Sequence, residues 1–422
     1  MLIQLPYGKK KLSLSLPDSY NICVIEPIFV PAISEPCAAI RKALQSPISL
    51  PTLSQLVKPD DRVGIVFSDV TRPTPNSLIL PEILAEIAHI PPQNVILFDG
   101  LGTHRKNSSE ELRTMLGDSI VDTHRIVQND AFDPSTQVYL GETTYGHEIW
   151  LNRELMDCDF KILTGYIEPH FFAGFSGGGK AIMPGMAGLA TILGNHSAKM
   201  IAHSKSTWGI TQGNPIFEEI SEIAGKIENT FLLNVTLNRD KEVTGVFGGK
   251  LPETHRMGCE FVKEHAMIPV PAPFDIVITT NSGFPLDMNL YQSVKGMSAA
   301  AKVVRKGGAI ILAAECQDGI PDHGLYGRLL RSYPTPLELL EGIMLSADTQ
   351  QDQWQVQIQA LIQLKADIYV YSDGLTDDEI RSALLQPVRK MEKTIEDLVT
   401  ELGRDARICI LPEGPQTIPY VR

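Results

Sequence analysis

Positive charge is in short supply in this chain. Lys and Arg total 37 against 50 Asp and Glu, a formal net charge of −13 over 422 residues. That balance argues against a polyanion as main partner, because nucleic-acid binding rests on phosphate neutralisation by Lys and Arg. A local basic pocket stays open. Long apolar runs are missing too: none approaches the roughly 20 residues of a membrane span. Met1 to Pro17 has neither a long apolar core nor a small-residue cleavage site, and Lys9-Lys10-Lys11 interrupts it. A cytoplasmic location is the expectation. The six cysteines, Cys23, Cys37, Cys158, Cys259, Cys316 and Cys409, stand singly. With no C-x-x-C pair, zinc and redox dithiols drop out and the thiols read as reduced core residues. H-E-x-x-H, an acidic calcium loop, internal repeats and low-complexity tracts are also absent. The composition, 43% hydrophobic and 21% charged, is that of a soluble globular protein. It is too long for one ordinary core, so two domains are expected.

What is present is a rhythm of short apolar runs ending in polar loops. Val63 to Phe67 runs into Ser68-Asp69-Val70-Thr71-Arg72-Pro73. Asn94 to Phe98 runs into Asp99-Gly100-Leu101-Gly102-Thr103-His104, and Phe160 to Thr164 leads into Tyr166-Ile167-Glu168-Pro169-His170. This predicts an α/β fold of mainly parallel strands with crossover helices. Ser108 and Glu111 have the spacing of a capping box, which starts a helix just after His104. A helix is predicted over Ala187 to Ser204, with His196 and His203 on one face, and a hairpin over Phe231 to Asn238 and Glu242 to Phe247. The alternating prolines of Ile268 to Pro273 form a stiff connector, dividing an N-terminal domain, 1–268, from a C-terminal one, 269–422. Strands are predicted at Phe274 to Thr280, Ala309 to Ala314, Asp367 to Tyr371 and Arg407 to Leu411. Helices are predicted near Asn289 to Val304 and Gln353 to Leu364.

Ligands of open α/β sheets bind beyond the carboxyl ends of the strands, which singles out Asp69, Arg72, His104 and His170. Tyr291 and Lys295, four apart, share a helix face in the second domain. Gly174 to Lys180 has the G-x-x-x-x-G-K spacing of a phosphate loop, but Ala181 stands where Ser or Thr would ligate magnesium. Pro184 then leaves any helix after Lys180 short or absent. The lysine needs another use, and an isolated His196 makes a metal site only if a cofactor brings the other ligands.

Taken in order, Asp69-Val70-Thr71-Arg72-Pro73-Thr74-Pro75, Gly102-Thr103-His104-Arg105, Glu168-Pro169-His170 through Gly179-Lys180, Gly194-Asn195-His196 and Tyr291-Gln292-Ser293-Val294-Lys295 resemble the nickel-dependent lactate racemase family. The resemblance spans nearly the whole chain. It implies a nickel pincer nucleotide, a pyridinium mononucleotide whose two sulfurs and ring carbon hold nickel. Lys180 would link to it covalently through a thioamide and His196 would supply the remaining nickel ligand. Such a donor set suits a square-planar d⁸ ion. By the same resemblance Asp69, Val70, Thr71 and Arg72 contact the nucleotide, Arg72 also reaches the substrate, and Tyr291, Gln292 and Lys295 contribute from the second domain. The site would then lie in the interdomain cleft, a common place for small-molecule sites.

His104 and His170 carry over as the acid/base pair. The implied reaction is racemisation of a 2-hydroxy carboxylate: a histidine takes the hydroxyl proton while hydride leaves C2 for the pincer ring, and the planar 2-keto acid receives it on either face. Two bases are wanted because the hydroxyl points differently in the two enantiomers. Arg72 and Lys295 would hold the carboxylate. Phe172 and Trp354 are similar to the family's apolar wall, which suits a methyl or short aliphatic group; malate, aromatic hydroxy acids and aldonates are the alternatives. Partners implied are proteins that synthesise the cofactor and insert nickel. Competing readings of the residues are a P-loop nucleotide-binding protein, a nicotinamide-dependent dehydrogenase and a non-catalytic cofactor carrier.

Overall fold

The computed structural model describes residues 1–322 and 324–422 and divides into two compact units. One comprises Phe29–His196 and His203–Glu264; the other comprises Met1–Ile28, Ser197–Ala202 and His265–Arg422.

The first unit is built on a six-stranded sheet ordered Val243–Gly249, Thr230–Leu237, Phe160–Tyr166, Val63–Phe67, Val95–Asp99, Arg125–Gln128. Only the first pair is antiparallel; every other pairing is parallel. All residues of Val63–Phe67, Val95–Asp99 and Phe160–Tyr166 are buried, which is why these strands read as unbroken apolar runs: helices cover both faces of a parallel sheet. Strand order reverses beside Val63–Phe67, whose neighbours are the strand that follows it and the much later Phe160–Tyr166. Such a switch point opens a crevice between adjacent loops that depart to opposite faces. Ile65, Phe67, Leu97, Ile162, Phe231 and Leu233 form the core on one face with Ile40, Leu44, Ile79 and Ile83. Each such side chain contributes about 1.5–3 kcal/mol on burial.

The second unit carries an all-parallel six-stranded sheet ordered Gln386–Val388, Ala366–Tyr371, Val304–Ala313, Phe274–Thr280, Arg407–Leu411, Asn21–Val24. The two-domain, mainly parallel α/β expectation therefore holds. The N-terminal residues, expected in the first domain, pack here instead: Asn21–Val24 closes one sheet edge against Arg407–Leu411. The hairpin Leu2–Tyr7 and Lys10–Ser15 puts Ile3, Leu5, Tyr7 and Leu14 into this unit's core. Part of the expected proline connector is itself a strand, Met267–Val270, paired parallel with Ile418–Val421.

The single helix expected over Ala187 to Ser204 is two. Leu189–Asn195 ends with His196 as its C-cap, Ser197 is extended at ψ 156°, and Ala198–Ile201 starts anew. The chain changes unit at this break, so His196 and His203 do not share a helix face. The Ser108 capping box, by contrast, forms as expected, with both reciprocal hydrogen bonds.

Candidate active site

Three loops leave the carboxyl edge of the first unit's sheet side by side, and each brings a group that can do chemistry. After Val63–Phe67 the chain makes a turn held by its own side chain: Asp69 Oδ1 accepts from the Thr71 N–H at 2.9 Å and the Thr71 hydroxyl at 2.6 Å. Asp is suited to such a turn because its short carboxylate reaches the backbone two residues on. The Arg72 guanidinium donates to Thr71 Oγ1 at 3.1 Å.

The other oxygen, Oδ2, lies 2.5 Å from Nδ1 of His104 on the neighbouring loop. A carboxylate there takes the Nδ1 hydrogen and leaves the His104 Nε2 lone pair outward as a base. Burial alone would raise the Asp69 carboxyl, but the electrostatic pull and hydrogen bond of His104, with Arg72 and Thr71, hold it well below the usual carboxylate range. The family resemblance implies a nucleotide contact for Asp69; what the fold gives it is the His104 imidazole.

Underneath lies Asp99, fully buried at the end of its strand, with Asn107 Nδ2 donating to it at 2.7 Å. Burial and the nearby Asp69 charge push its carboxyl up to about 8.

The third loop folds back on itself. Pro169–His170 pairs antiparallel with Gly174–Phe175, and the Ala173 N–H donates to His170 Nδ1 at 3.2 Å. A backbone N–H can only donate, so the hydrogen of the neutral His170 ring is on Nε2. The two imidazoles are thus set in opposite tautomers. Gly174 is required here: its φ is +77°, and a Cβ would come 2.3 Å from the Ile210 carbonyl oxygen.

Phe172 lies against three of the candidate residues. Its ring meets His170 edge-on at 4.5 Å and His196 edge-on at 5.0 Å, and Lys180 Nζ lies 5.6 Å from its centroid. Lys180 is carried by a 3₁₀ turn, Gly178–Ala181, so the short or missing helix expected from Pro184 is observed. The P-loop arrangement, a glycine loop opening a long helix, is not what this segment forms.

The turn is fixed from two sides. Asn234 Oδ1 accepts the Gly178 N–H at 2.7 Å, and buried His255 donates through Nε2 to the Ser176 carbonyl at 2.8 Å while its ring lies against Gly178. Neither residue is singled out by the sequence, since both stand in ordinary amphipathic strand and helix patterns.

His196 is buried, 4% exposed. Burial, then the Lys180 charge, pushes its imidazole down to about 3, so it is neutral near pH 7 and able to ligate a metal. Among the described residues no group of three or more His, Cys, Asp or Glu is placed to hold a metal ion. One neutral imidazole beside an amine therefore fits a metal that arrives with its own donors.

In the second unit Tyr291, Gln292 and Lys295 lie on the helix Leu290–Ala301, capped by Asn289 through the Gln292 N–H. Lys295 is buried at 7% exposure, unlike the solvated lysine a helix usually shows. Gln292 Oε1 is buried with no hydrogen-bond partner among the described residues, an acceptor suited to a ligand donor. Trp354 Nε1 donates to the Tyr291 hydroxyl at 3.1 Å, and Tyr326 packs edge-on against Tyr291 at 5.4 Å.

The lactate racemase N-terminal domain model matches residues 7–209 and the C-terminal domain model residues 270–418. The chain belongs to the lactate racemase family. Lactate racemase of Thermoanaerobacterium thermosaccharolyticum is 32% identical over 431 residues, covering 99% of this chain and 98% of the relative. That of Lactiplantibacillus plantarum is 32% identical over 418 residues, covering 98% of each. The lactate racemase apoprotein structure from T. thermosaccharolyticum superposes with a TM-score of 0.92 over 100% of both chains at 31% identity. A Thermotoga maritima protein, 19% identical with a TM-score of 0.72 over 92% of this chain and 98% of its own, shares the fold. Lactate racemases are isomerases, and the chain is an enzyme of that class. No helix among the described residues is long and apolar enough to cross a membrane.

Proposed function

We propose that this chain racemises a 2-hydroxy carboxylate, with lactate or another short aliphatic 2-hydroxy acid as substrate and a nickel pincer nucleotide held at Lys180 and His196. The observation that carries the reading is the pair of imidazoles in opposite tautomers, His104 backed by Asp69 and His170 backed by the Ala173 N–H, on the two loops that flank the Asp69 turn. The full-length relatives named lactate racemase support it.

When bound, the cofactor supplies an electron-poor ring able to accept hydride from C2 and return it. The chain's own residues do the rest. His104 Nε2 takes the hydroxyl proton of one enantiomer, and the imidazolium so formed is stabilised by the Asp69 carboxylate. His170 presents Nε2–H to the substrate oxygen. To act as base toward the other enantiomer its ring must move that hydrogen to Nδ1, which requires the Ala173 hydrogen bond to open. Arg72 holds the substrate carboxylate, a guanidinium being able to do so with two parallel bonds. Phe172 offers an apolar surface to a methyl or short alkyl group.

The proposal extends to Val70 and Thr71 as nucleotide contacts, to Tyr291, Gln292 and Lys295 as cofactor and substrate contacts, and to Trp354 as a further apolar substrate contact. Gln292 Oε1, buried with no hydrogen-bond partner among the described residues, supports the second-unit assignments. Nickel insertion and cofactor synthesis would be the work of other proteins, and the cytoplasm is the compartment proposed.

The test is to load the protein with the nickel pincer nucleotide and follow optical rotation across single-enantiomer lactate, malate, mandelate and an aldonate. Fastest loss with lactate is expected. No loss with any of them, from protein carrying the Lys180 adduct, would refute the reading.

A further inference from the structure

Glu219 is fully buried, yet no step of the proposed reaction uses it. It lies on the helix Pro215–Gly225, beside Ile216, Ile220 and Ile223 on the buried face. Its carboxylate collects donors from three directions. Thr143 Oγ1 donates to Oε1 at 2.6 Å, His147 Nδ1 meets the same oxygen at 2.8 Å, and Asn195 Nδ2 donates to Oε2 at 2.8 Å. Asn195 Nδ2 also reaches the Ile216 carbonyl at 3.2 Å, and Asn195 is itself fully buried.

Asn195 is the last residue of its helix, and His196 is the C-cap that comes next. The packing around this turn leaves little slack: a Cβ on Gly194 would come 2.7 Å from the His147 ring. The His196 N–H is held by the Ile192 carbonyl at 2.9 Å, and Phe172 meets the imidazole edge-on. Phe172 in turn is tied to the same helix, because the N-cap Asn214 donates to the Phe172 carbonyl at 2.8 Å while accepting the Ile216 and Phe217 N–H groups. Both the backbone that carries His196 and the ring that packs on it are therefore fixed by polar groups of one helix.

We infer that Glu219, acting through Asn195, is a positioning residue that fixes the His196 imidazole for nickel. A buried carboxylate with its donors in place is a rigid anchor, whereas losing it takes an acceptor from Thr143, His147 and Asn195 and leaves Asn195 only the longer bond to the Ile216 carbonyl. Groups behind a metal ligand set its orientation, and losing them typically costs about 10- to 100-fold in metal affinity. This inference rests on the assignment of His196 as nickel ligand.

The experiment compares wild type, Glu219→Ala, Asn195→Ala and Ile223→Val, all loaded with the nickel pincer nucleotide. The last is a core change on the same helix that leaves the polar network alone. Two quantities are read: the Lys180 adduct by intact mass, and the rate at which a chromogenic chelator strips nickel. The expected result is a full adduct in every protein, with nickel lost roughly 10- to 100-fold faster from Glu219→Ala and Asn195→Ala and at the wild-type rate from Ile223→Val. Should Glu219→Ala not fold, Asn195→Ala decides alone. Release at the wild-type rate from the network variants, or equally fast release from Ile223→Val, would overturn the inference. A wild type that takes up neither adduct nor nickel would instead overturn the cofactor reading beneath it.

Discussion

Changing Asp69 to Asn alters one functional group at nearly constant volume and tests which nitrogen of His104 is the base. Oδ1 of Asp69 accepts from two donors, the N–H and hydroxyl of Thr71. An amide at this position keeps its oxygen on those donors, since turning over would set NH₂ against N–H. Its NH₂ then faces His104 Nδ1, 2.5 Å from Oδ2 in the native chain, so Nδ1 becomes the acceptor and the ring hydrogen moves to Nε2. The base is lost although the imidazole stays. Inverting the tautomer of a general base in this way removes about 10²- to 10⁴-fold of rate. At 1.36 kcal/mol per tenfold this is about 3–5 kcal/mol of transition-state stabilisation. Polarimetry with the loaded variant on a single lactate enantiomer should show that loss in kcat. KM should change by less than roughly threefold, because uniform binding is untouched. The Lys180 adduct, read by mass, should persist. A kcat within about threefold of wild type at equal loading would refute the tautomer argument.

Four other expectations come from the same geometry. His170→Ala should lower racemisation about 10²- to 10⁴-fold in the same assay while leaving adduct formation intact; near-normal turnover would remove it from the acid/base pair. Lys180→Ala should show no cofactor mass increment on the intact protein, and an increment of wild-type size would disprove the tether. Gly178→Ala should melt lower than wild type and load poorly, because φ is +57° and a Cβ would lie 2.5 Å from the His255 ring; unchanged melting and loading would contradict the cradle. Asp99, raised to about 8 in the folded chain against about 3.9 unfolded, favours the protonated form on folding. Its contribution is whole below about pH 4 and is lost as pH rises through 8. Asp99→Asn should therefore gain melting temperature relative to wild type between pH 6 and 9, with the gap closing toward pH 4. A gap independent of pH would refute this.

The sheet and the loops that carry chemistry were legible because burial on both faces wrote itself as apolar runs, and His104, His170 and Asp69 stand just beyond those runs. The helix break at His196 was not legible. Ala187 to Ser204 has continuous helical periodicity, and at the break Asn195 is held by Ile216 and Glu219, partners that only the fold brings near. The place of the N-terminal strand was not legible for a related reason: Asn21–Val24 completes a sheet whose other strands begin at Phe274, a pairing no local pattern announces. Glu219 left a faint signal, an acid on the apolar face formed by Ile216, Ile220 and Ile223. Only the fold shows that Thr143, His147 and Asn195 converge on it.

The helix Pro215–Gly225 contains no residue that would touch substrate, yet it serves three groups that would touch cofactor or substrate. Its cap holds Phe172, its carboxylate holds the His196 turn, and Ile220 and Ala224 lie so close to Gly179 that a Cβ there would meet them at 3.2 and 3.0 Å. One substitution on this helix can disturb Phe172, the His196 turn and the turn that carries Lys180 together. Phe172 cannot change alone either, since its ring lies against His170, His196 and Lys180. The helix is a single point of failure for three groups that the sequence places apart.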